Sequence, residues 1–211
     1  MPDEPTDEAL MTAYAAGDAA AFERLYARHR GGLWRFVRRL LIDLAAAQAE
    51  EVFQDVWLRV VQSRERWQPH EGATFKTWLY TLAHHRAIDL WRRGGREVAD
   101  EGAPETVADD GGGAWRQWPA PAPAATAHGD EIAFWRRAGE RLLACVRGLP
   151  PPQRSAFLLH HEDGLSLAEM AQALGVGAET AKTRLRYAMA KLRSCMGAYL
   201  APLGTAEGGR R

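Results

Sequence analysis

The chain has 211 residues with 27 acidic and 27 basic side chains, a formal net charge of zero, 46% apolar and 26% charged positions. These proportions exclude wholesale disorder, a collagen-like chain and a membrane bundle, and the length suits two small domains. The acidic start MPDEPTDEAL is unlike a signal peptide, and no apolar run approaches the roughly 18 residues that span a bilayer, so a cytoplasmic protein without membrane insertion is expected.

A short acidic helix is predicted from Asp7 to Ala16. Asp18 is an acceptable N-cap for the next helix, in which Phe22, Leu25, Tyr26, Leu33, Phe36, Val37, Leu40 and Leu41 recur at three- and four-residue spacing. Gly31-Gly32 is its weak point. Charge is blocked here: Met1 to Glu23 has six acids and no base, and Arg24 to Ile42 has six arginines and no acid. A long helix follows from Ala45 to Trp67, with Val52, Phe53, Val56, Trp57 and Val60 inside and Glu51, Asp55 and Leu58 on the other face. After a turn at 68–72, Thr74 can cap a helix through Trp78, Leu82, Ile88 and Trp91 that ends in Arg92-Arg93-Gly94-Gly95. Trp78 and Trp91 fit a core face better than stacking platforms.

Residues 95–129 read as a flexible linker: three consecutive glycines and alternating Pro-Ala hold no regular helix or strand. Trp115 and Trp118 leave two readings open, docking to a partner or chance retention. The second half opens with a helix from Asp130 to Arg147. Pro150-Pro151-Pro152 starts another that carries Phe157, Leu158 and Leu159. Ser166 and Glu169 form a capping box, Gly175 supplies the turn, and a basic helix begins near Ala178. That helix buries Ala181, Leu185, Ala188, Met189 and Leu192, and leaves Thr180, Lys182, Thr183, Arg184 and Arg186 outside. A short capped helix, a glycine turn and a basic second helix make a helix-turn-helix, whose second helix fits the DNA major groove. By segment the net charge is 0 over residues 1–93, −5 over 94–130 and +5 over 131–211. Overall neutrality is therefore no argument against nucleic acid, because fields act within about 8–10 Å. Cys145 and Cys195 lack CxxC or Cys/His spacing and are expected as free, packed thiols rather than a disulfide or zinc site.

Together the two halves resemble a bacterial RNA polymerase sigma factor of the extracytoplasmic-function (ECF) group. The resemblance rests on AEEVFQDVWLRV at 49–60, FKTWLYTLAHHRAIDLWRR at 75–93, LPPPQRSAFLLHHEDGLSLAEMAQALGV at 149–176 and ETAKTRLRYAMAKLR at 179–193. It implies an all-α fold of two small helical domains joined by a flexible linker. Residues 1–94 would be sigma domain 2, 95–129 the linker, 130–200 domain 4 with the helix-turn-helix, and 201–211 a disordered tail.

The resemblance also implies a transcription initiation factor, not an enzyme, that binds core RNA polymerase, directs it to −35/−10 promoter DNA and assists melting. Glu51, Gln54, Asp55 and Leu58 would grip the polymerase. Lys76, His84, His85, Arg86, Asp89, Arg92 and Arg93, with the loop Trp67 to Ala73, would serve the −10 element. Thr180, Lys182, Thr183, Arg184 and Arg186 would read or clamp the −35 element. An anti-sigma factor is the implied regulator, and no cofactor, metal or small-molecule substrate is called for. The linker acids at 97–110 would imitate nucleic-acid charge or merely solvate a tether. Three departures from the family pattern are His84-His85 where Arg-Asn is common, Gly177 where Ser often caps, and Ala181 where Val is usual.

The alternative is a helix-turn-helix regulator acting without polymerase, which leaves 49–60 and 75–93 unexplained. An enzyme has no support, since neither GxxxxGK[ST] nor GxSxG occurs. His160-His161-Glu162-Asp163 tempts a metal reading, but adjacent ligands on one helix point about 100° apart; a polar helix-end cluster is expected.

Overall fold

The computed structural model describes residues 4–68, 74–93 and 129–204, and among these no strand occurs. α1 (Asp7–Ala15) starts where the Thr6 hydroxyl accepts the Ala9 amide, and it buries Leu10, Met11 and Tyr14. Gly17, at φ 103°, makes the turn into α2 (Ala19–Leu40), a conformation that favours glycine. Asp18 caps α2 by accepting the amides of Ala20 at 2.9 Å and Ala21 at 3.3 Å. Leu25, Leu33, Phe36, Val37 and Leu40 are buried along one stripe of this helix, as its period demands.

Gly31-Gly32 does not interrupt α2. A Cβ at Gly32 would lie 2.8 Å from the Tyr80 hydroxyl, so the glycine makes room for that side chain instead of breaking the helix. α3 (Ala46–Ser63) buries Ala49, Val52, Val56, Trp57 and Val60. It tightens into a 3₁₀ turn at Arg64–Arg66, short of the predicted end at Trp67. α4 (Phe75–Arg93) is capped twice. The Thr74 hydroxyl accepts the Thr77 amide at 3.1 Å, and Glu8 of α1 accepts the Phe75 amide at 2.8 Å. Two donors otherwise orphaned at a helix start are thereby satisfied. Trp91 is buried and Trp78 lies against Trp67 and Phe75, the core role expected of both.

The second half begins with α5 (Gly129–Arg147). α6 (Pro151–Phe157) opens on proline, whose missing amide costs nothing at the first helical position, and runs into one π-helical turn at Leu158–Glu162. α7 (Leu167–Leu174) has the predicted capping box between Ser166 and Glu169, and it ends at Gly175 with φ 65°. α8 (Ala178–Gly204) follows. Ala181, Leu185, Ala188, Met189 and Leu192 are all buried. α8 reaches four residues into the stretch read as a tail.

The cysteine expectation is overturned. Cys145 on α5 and Cys195 on α8 form a disulfide with their Cα atoms 5.9 Å apart. Spacing in sequence carries no sign of this, because the pairing arises from the packing of α5 along α8. The same packing lays the Phe134 and Tyr199 rings 5.3 Å apart and lets the Tyr199 hydroxyl donate to the Phe134 carbonyl.

The two halves share one continuous apolar core, to which the first contributes Phe36, Leu40, Leu79 and Ala83 and the second Leu149, Leu158, Leu159 and Met170. Arg154 is 2% exposed. It donates to the carbonyls of Val146, Arg147 and Leu149 at the end of α5 and to Leu40 at the end of α2, and it pairs with Asp43 at 2.8 Å. A guanidinium satisfies carbonyl oxygens that no helix amide reaches.

Candidate nucleic-acid interface

On α3 the positions carried by the resemblance share one outward face. Glu51, Gln54 and Leu58 are exposed, Leu58 at 53%, and Asp55 is half-buried. Arg86 of α4 holds the two acids: its Nε donates to Asp55 at 2.6 Å and its second guanidinium nitrogen to Glu51 at 3.1 Å. Arg86 was expected at the −10 element; here it orients the α3 carboxylates. An exposed leucine between fixed carboxylates suits a partner that is basic and partly apolar.

The remaining −10 candidates divide in two. His85, Asp89, Arg92 and Arg93 are exposed at successive turns of α4. Lys76 and His84 face the second half of the chain. Lys76 donates to the Asp163 carbonyl, and His84 is 6% exposed. Burial lowers the His84 pKa to about 3, assisted by His85 and Arg184, so its ring is neutral. Residues 69–73 of the expected base-capturing loop lie outside the described residues, as do Trp115, Trp118 and the acids at 97–110.

Of the −35 candidates, Thr180, Lys182 and Arg186 are exposed on the first turns of α8, and Thr183 and Arg184 are half-buried. Arg186 stacks over Tyr187 at 5.4 Å. Gly177, open on the side where a Cβ would project, precedes α8.

The turn from the π-helical segment into α7 holds the cluster His160-His161-Glu162-Asp163, together with Tyr80, which the sequence did not single out. The Tyr80 hydroxyl donates to Asp163 at 2.6 Å. Burial raises the Asp163 pKa to about 7, against the opposing influence of Tyr80, Lys76 and Arg35 and with that of Glu162. His160 bonds the Leu165 carbonyl through Nδ1 at 2.8 Å, and His161 lies against Phe157. Burial and then His160 bring the His161 pKa down to about 4. Among the described residues no cluster of three or more histidine, cysteine or acidic side chains is arranged to hold a metal.

An all-α chain that carries an acid-and-leucine face on α3 and, in its second half, a short capped helix, a glycine turn and a basic helix has the build of a DNA-binding protein. Its family follows from the comparisons: residues 25–97 match the Sigma-70 region 2 model and 139–192 the Sigma-70 region 4 model. ECF RNA polymerase sigma factor SigK of Mycolicibacterium vanbaalenii is 30% identical over 90% of this chain and 89% of its own. The corresponding protein of Mycobacterium ulcerans is 32% identical over 90% and 93%. Two solved structures share the fold. CnrH, in complex with the cytosolic domain of CnrY, has a TM-score of 0.61 at 20% identity over 92% of this chain and 99% of that one. RpoE of Bartonella quintana, in complex with the anti-sigma factor NepR, has 0.56 at 21% over 83% and 96%. The chain belongs to the ECF RNA polymerase sigma factors and is a transcription initiation factor.

Proposed function

We propose that this sigma factor binds core RNA polymerase through the outward face of α3, with Leu58 as the apolar anchor and Glu51, Gln54 and Asp55 around it. Residues 1–94 act as domain 2 and 130–200 as domain 4. His85, Asp89, Arg92 and Arg93 serve the −10 element, joined by Lys76 and His84 once their present contacts are released. Thr180, Lys182, Thr183, Arg184 and Arg186 serve the −35 element, and melting follows from capture of an extruded base by α4 and the loop before it. Arg86 is better read as the residue that sets the α3 carboxylates than as a DNA contact.

The protein acts in the cytoplasm and performs no chemistry of its own. Among the described residues no helix is long and apolar enough to cross a membrane. An anti-sigma factor is its regulator, by analogy with the RpoE structure solved with NepR.

The observation that carries this reading is the α3 face, where a leucine is left in water between acids fixed by Arg86. Leu58→Asp should leave folding within about 0.5 kcal/mol of wild type, since the side chain is exposed. It should weaken core binding at least tenfold, because apolar anchors dominate interfaces. Affinity capture of sigma-free core enzyme, followed by runoff transcription on genomic promoter fragments, measures both. Undiminished capture by the variant refutes the assignment. Tight duplex binding by a chain that never binds polymerase would favour the regulator reading.

A further inference from the structure

α1 takes no part in the assignments above, and it precedes the stretch matched by the Sigma-70 region 2 model, which begins at residue 25. It nevertheless packs on α2, on α4 and on the 3₁₀ turn that ends α3, and so touches both flanks of the loop Trp67 to Ala73. On the far flank a Glu8 carboxylate oxygen accepts the Phe75 amide at 2.8 Å, the first amide of α4. On the near flank the Arg64 guanidinium lies over the Tyr14 ring at 5.8 Å. The first loop residue, Trp67, sets its ring 5.7 Å from Phe75 and 5.1 Å from Trp78.

Glu8 is itself held in place. Its neighbour Asp7 accepts from His29 Nε2 at 2.7 Å and pairs with Arg28, which also reaches Glu4 at 2.7 Å. Burial would raise the Asp7 pKa, but the hydrogen bonds and charges of His29 and Arg28 keep it below the ordinary value, so the clasp is ionic at neutral pH. The His29 ring also lies 5.5 Å from Phe75. Leu10 and Met11 are buried one turn further on. Glu8 is thus anchored to α2 and cannot follow the start of α4 if that end shifts.

Unstacking a base costs a few kcal/mol, and the groups that capture it repay this only if they are held in the productive geometry. Thr74 satisfies one orphan amide of α4 from within the same segment. Glu8 satisfies another from a separate helix, and so fixes where that end of the loop stands. We propose that α1 braces the base-capturing loop at both flanks, with Glu8 as a positioning residue for promoter melting and the Tyr14 and Arg64 pair as its counterpart. This rests on the reading of α4 and the preceding loop made above, and it adds that residues remote from the DNA set how well the loop works.

Glu8→Ala, Glu8→Gln and Arg64→Met in the full chain test this with core polymerase and a promoter fragment that the wild type transcribes. Affinity capture reads core binding, and permanganate oxidation of unpaired thymines near −10 reads opening. Glu8→Ala should capture polymerase as wild type does and open the promoter about tenfold less. Glu8→Gln keeps an oxygen for the Phe75 amide and should recover most of that loss. Arg64→Met should lower opening about threefold, as loss of one exposed cation–π contact implies.

Wild-type opening by Glu8→Ala, with helix content intact by circular dichroism, overturns the proposal. So does capture that falls in step with opening, since Glu8 would then support the whole domain, or a Gln variant no better than Ala. A wild-type chain that captures polymerase yet leaves every thymine unreactive refutes the underlying reading of α4, and the brace with it.

Discussion

Replacing Asp163 by Asn isolates one charge at the boundary between the two halves. The folded chain holds the proton of Asp163 up to about pH 7, whereas the ordinary value is 3.8. The stability that this group contributes is therefore fully present below about pH 4, falls as pH rises towards 7, and is gone above it. Between pH 6 and pH 8 the loss is about 1.4 kcal/mol, from the two pKa values and the linkage relation.

Two histidines act in the opposite sense. His84 and His161 are kept neutral in the fold, at about 3 and about 4 against an ordinary 6.5. Their contribution is lost at low pH and restored as pH rises past 6.5. The wild-type profile over this range is accordingly shallow, and the informative quantity is variant minus wild type. Asn keeps an oxygen for the Tyr80 hydroxyl and has no charge to desolvate. Urea unfolding followed by circular dichroism at pH 6 and pH 8 should show Asp163→Asn gaining about 1.4 kcal/mol on wild type between the two. A difference between the proteins that is the same at both pH values refutes the reasoning.

Arg154→Met should cost about 3–5 kcal/mol in the same assay, because it strands the Asp43 carboxylate and four carbonyls that one buried guanidinium serves; a loss below about 1 kcal/mol would show those oxygens finding other donors. Cys145→Ala opens a loop of 50 residues, which chain entropy values at about 4 kcal/mol. Thermal melts should show reductant lowering wild type towards the variant and leaving the variant unmoved. Lys182→Ala, at an exposed position on α8, should reduce the salt slope of DNA binding by the polymerase complex by about one, without changing which promoter fragments are chosen, as removal of a phosphate contact does.

The helices were legible because their signals are local. Asp18, Thr74, the Ser166 and Glu169 pair and Gly175 each mark a helix end by satisfying or releasing nearby backbone groups. Period alone separated the buried stripe of α8 from exposed Lys182 and Arg186, although Thr183 and Arg184, also expected outside, are half-buried. What could not be read was everything set by approach across the fold. Gly32 looked like a helix breaker because its neighbour Tyr80 is 48 positions away, and the cysteines looked free for the same reason. Asp163 read as one of a polar helix-end cluster with no sign of Tyr80, and the contact of Arg86 with the α3 acids had no local signal either. Their partners come from other elements, and no spacing rule predicts the desolvation that raises one pKa or the carboxylates that occupy the other side chain. The boundary between the halves was the least legible part, since it is built mostly from backbone carbonyls and long side chains that any solvated helix face might carry.

Part of the charge behind the zero total is paired among the described residues. Glu4 and Asp7 meet Arg28, Glu51 and Asp55 meet Arg86, Asp43 meets Arg147 and Arg154, and Glu162 meets Arg39. The last two groups straddle the boundary between the halves. These straddling pairs do not respond alike to salt. Arg39 with Glu162 and Arg147 with Asp43 are partly exposed and are screened. Arg154 is buried and keeps its four carbonyls at any ionic strength. Moderate salt therefore loosens the rim of this boundary without removing its central tie. It weakens DNA binding much more steeply, because each phosphate contact adds to the salt slope. Contact between the halves should accordingly persist, in small-angle scattering of the free chain, at salt concentrations where duplex binding by the polymerase complex is already lost.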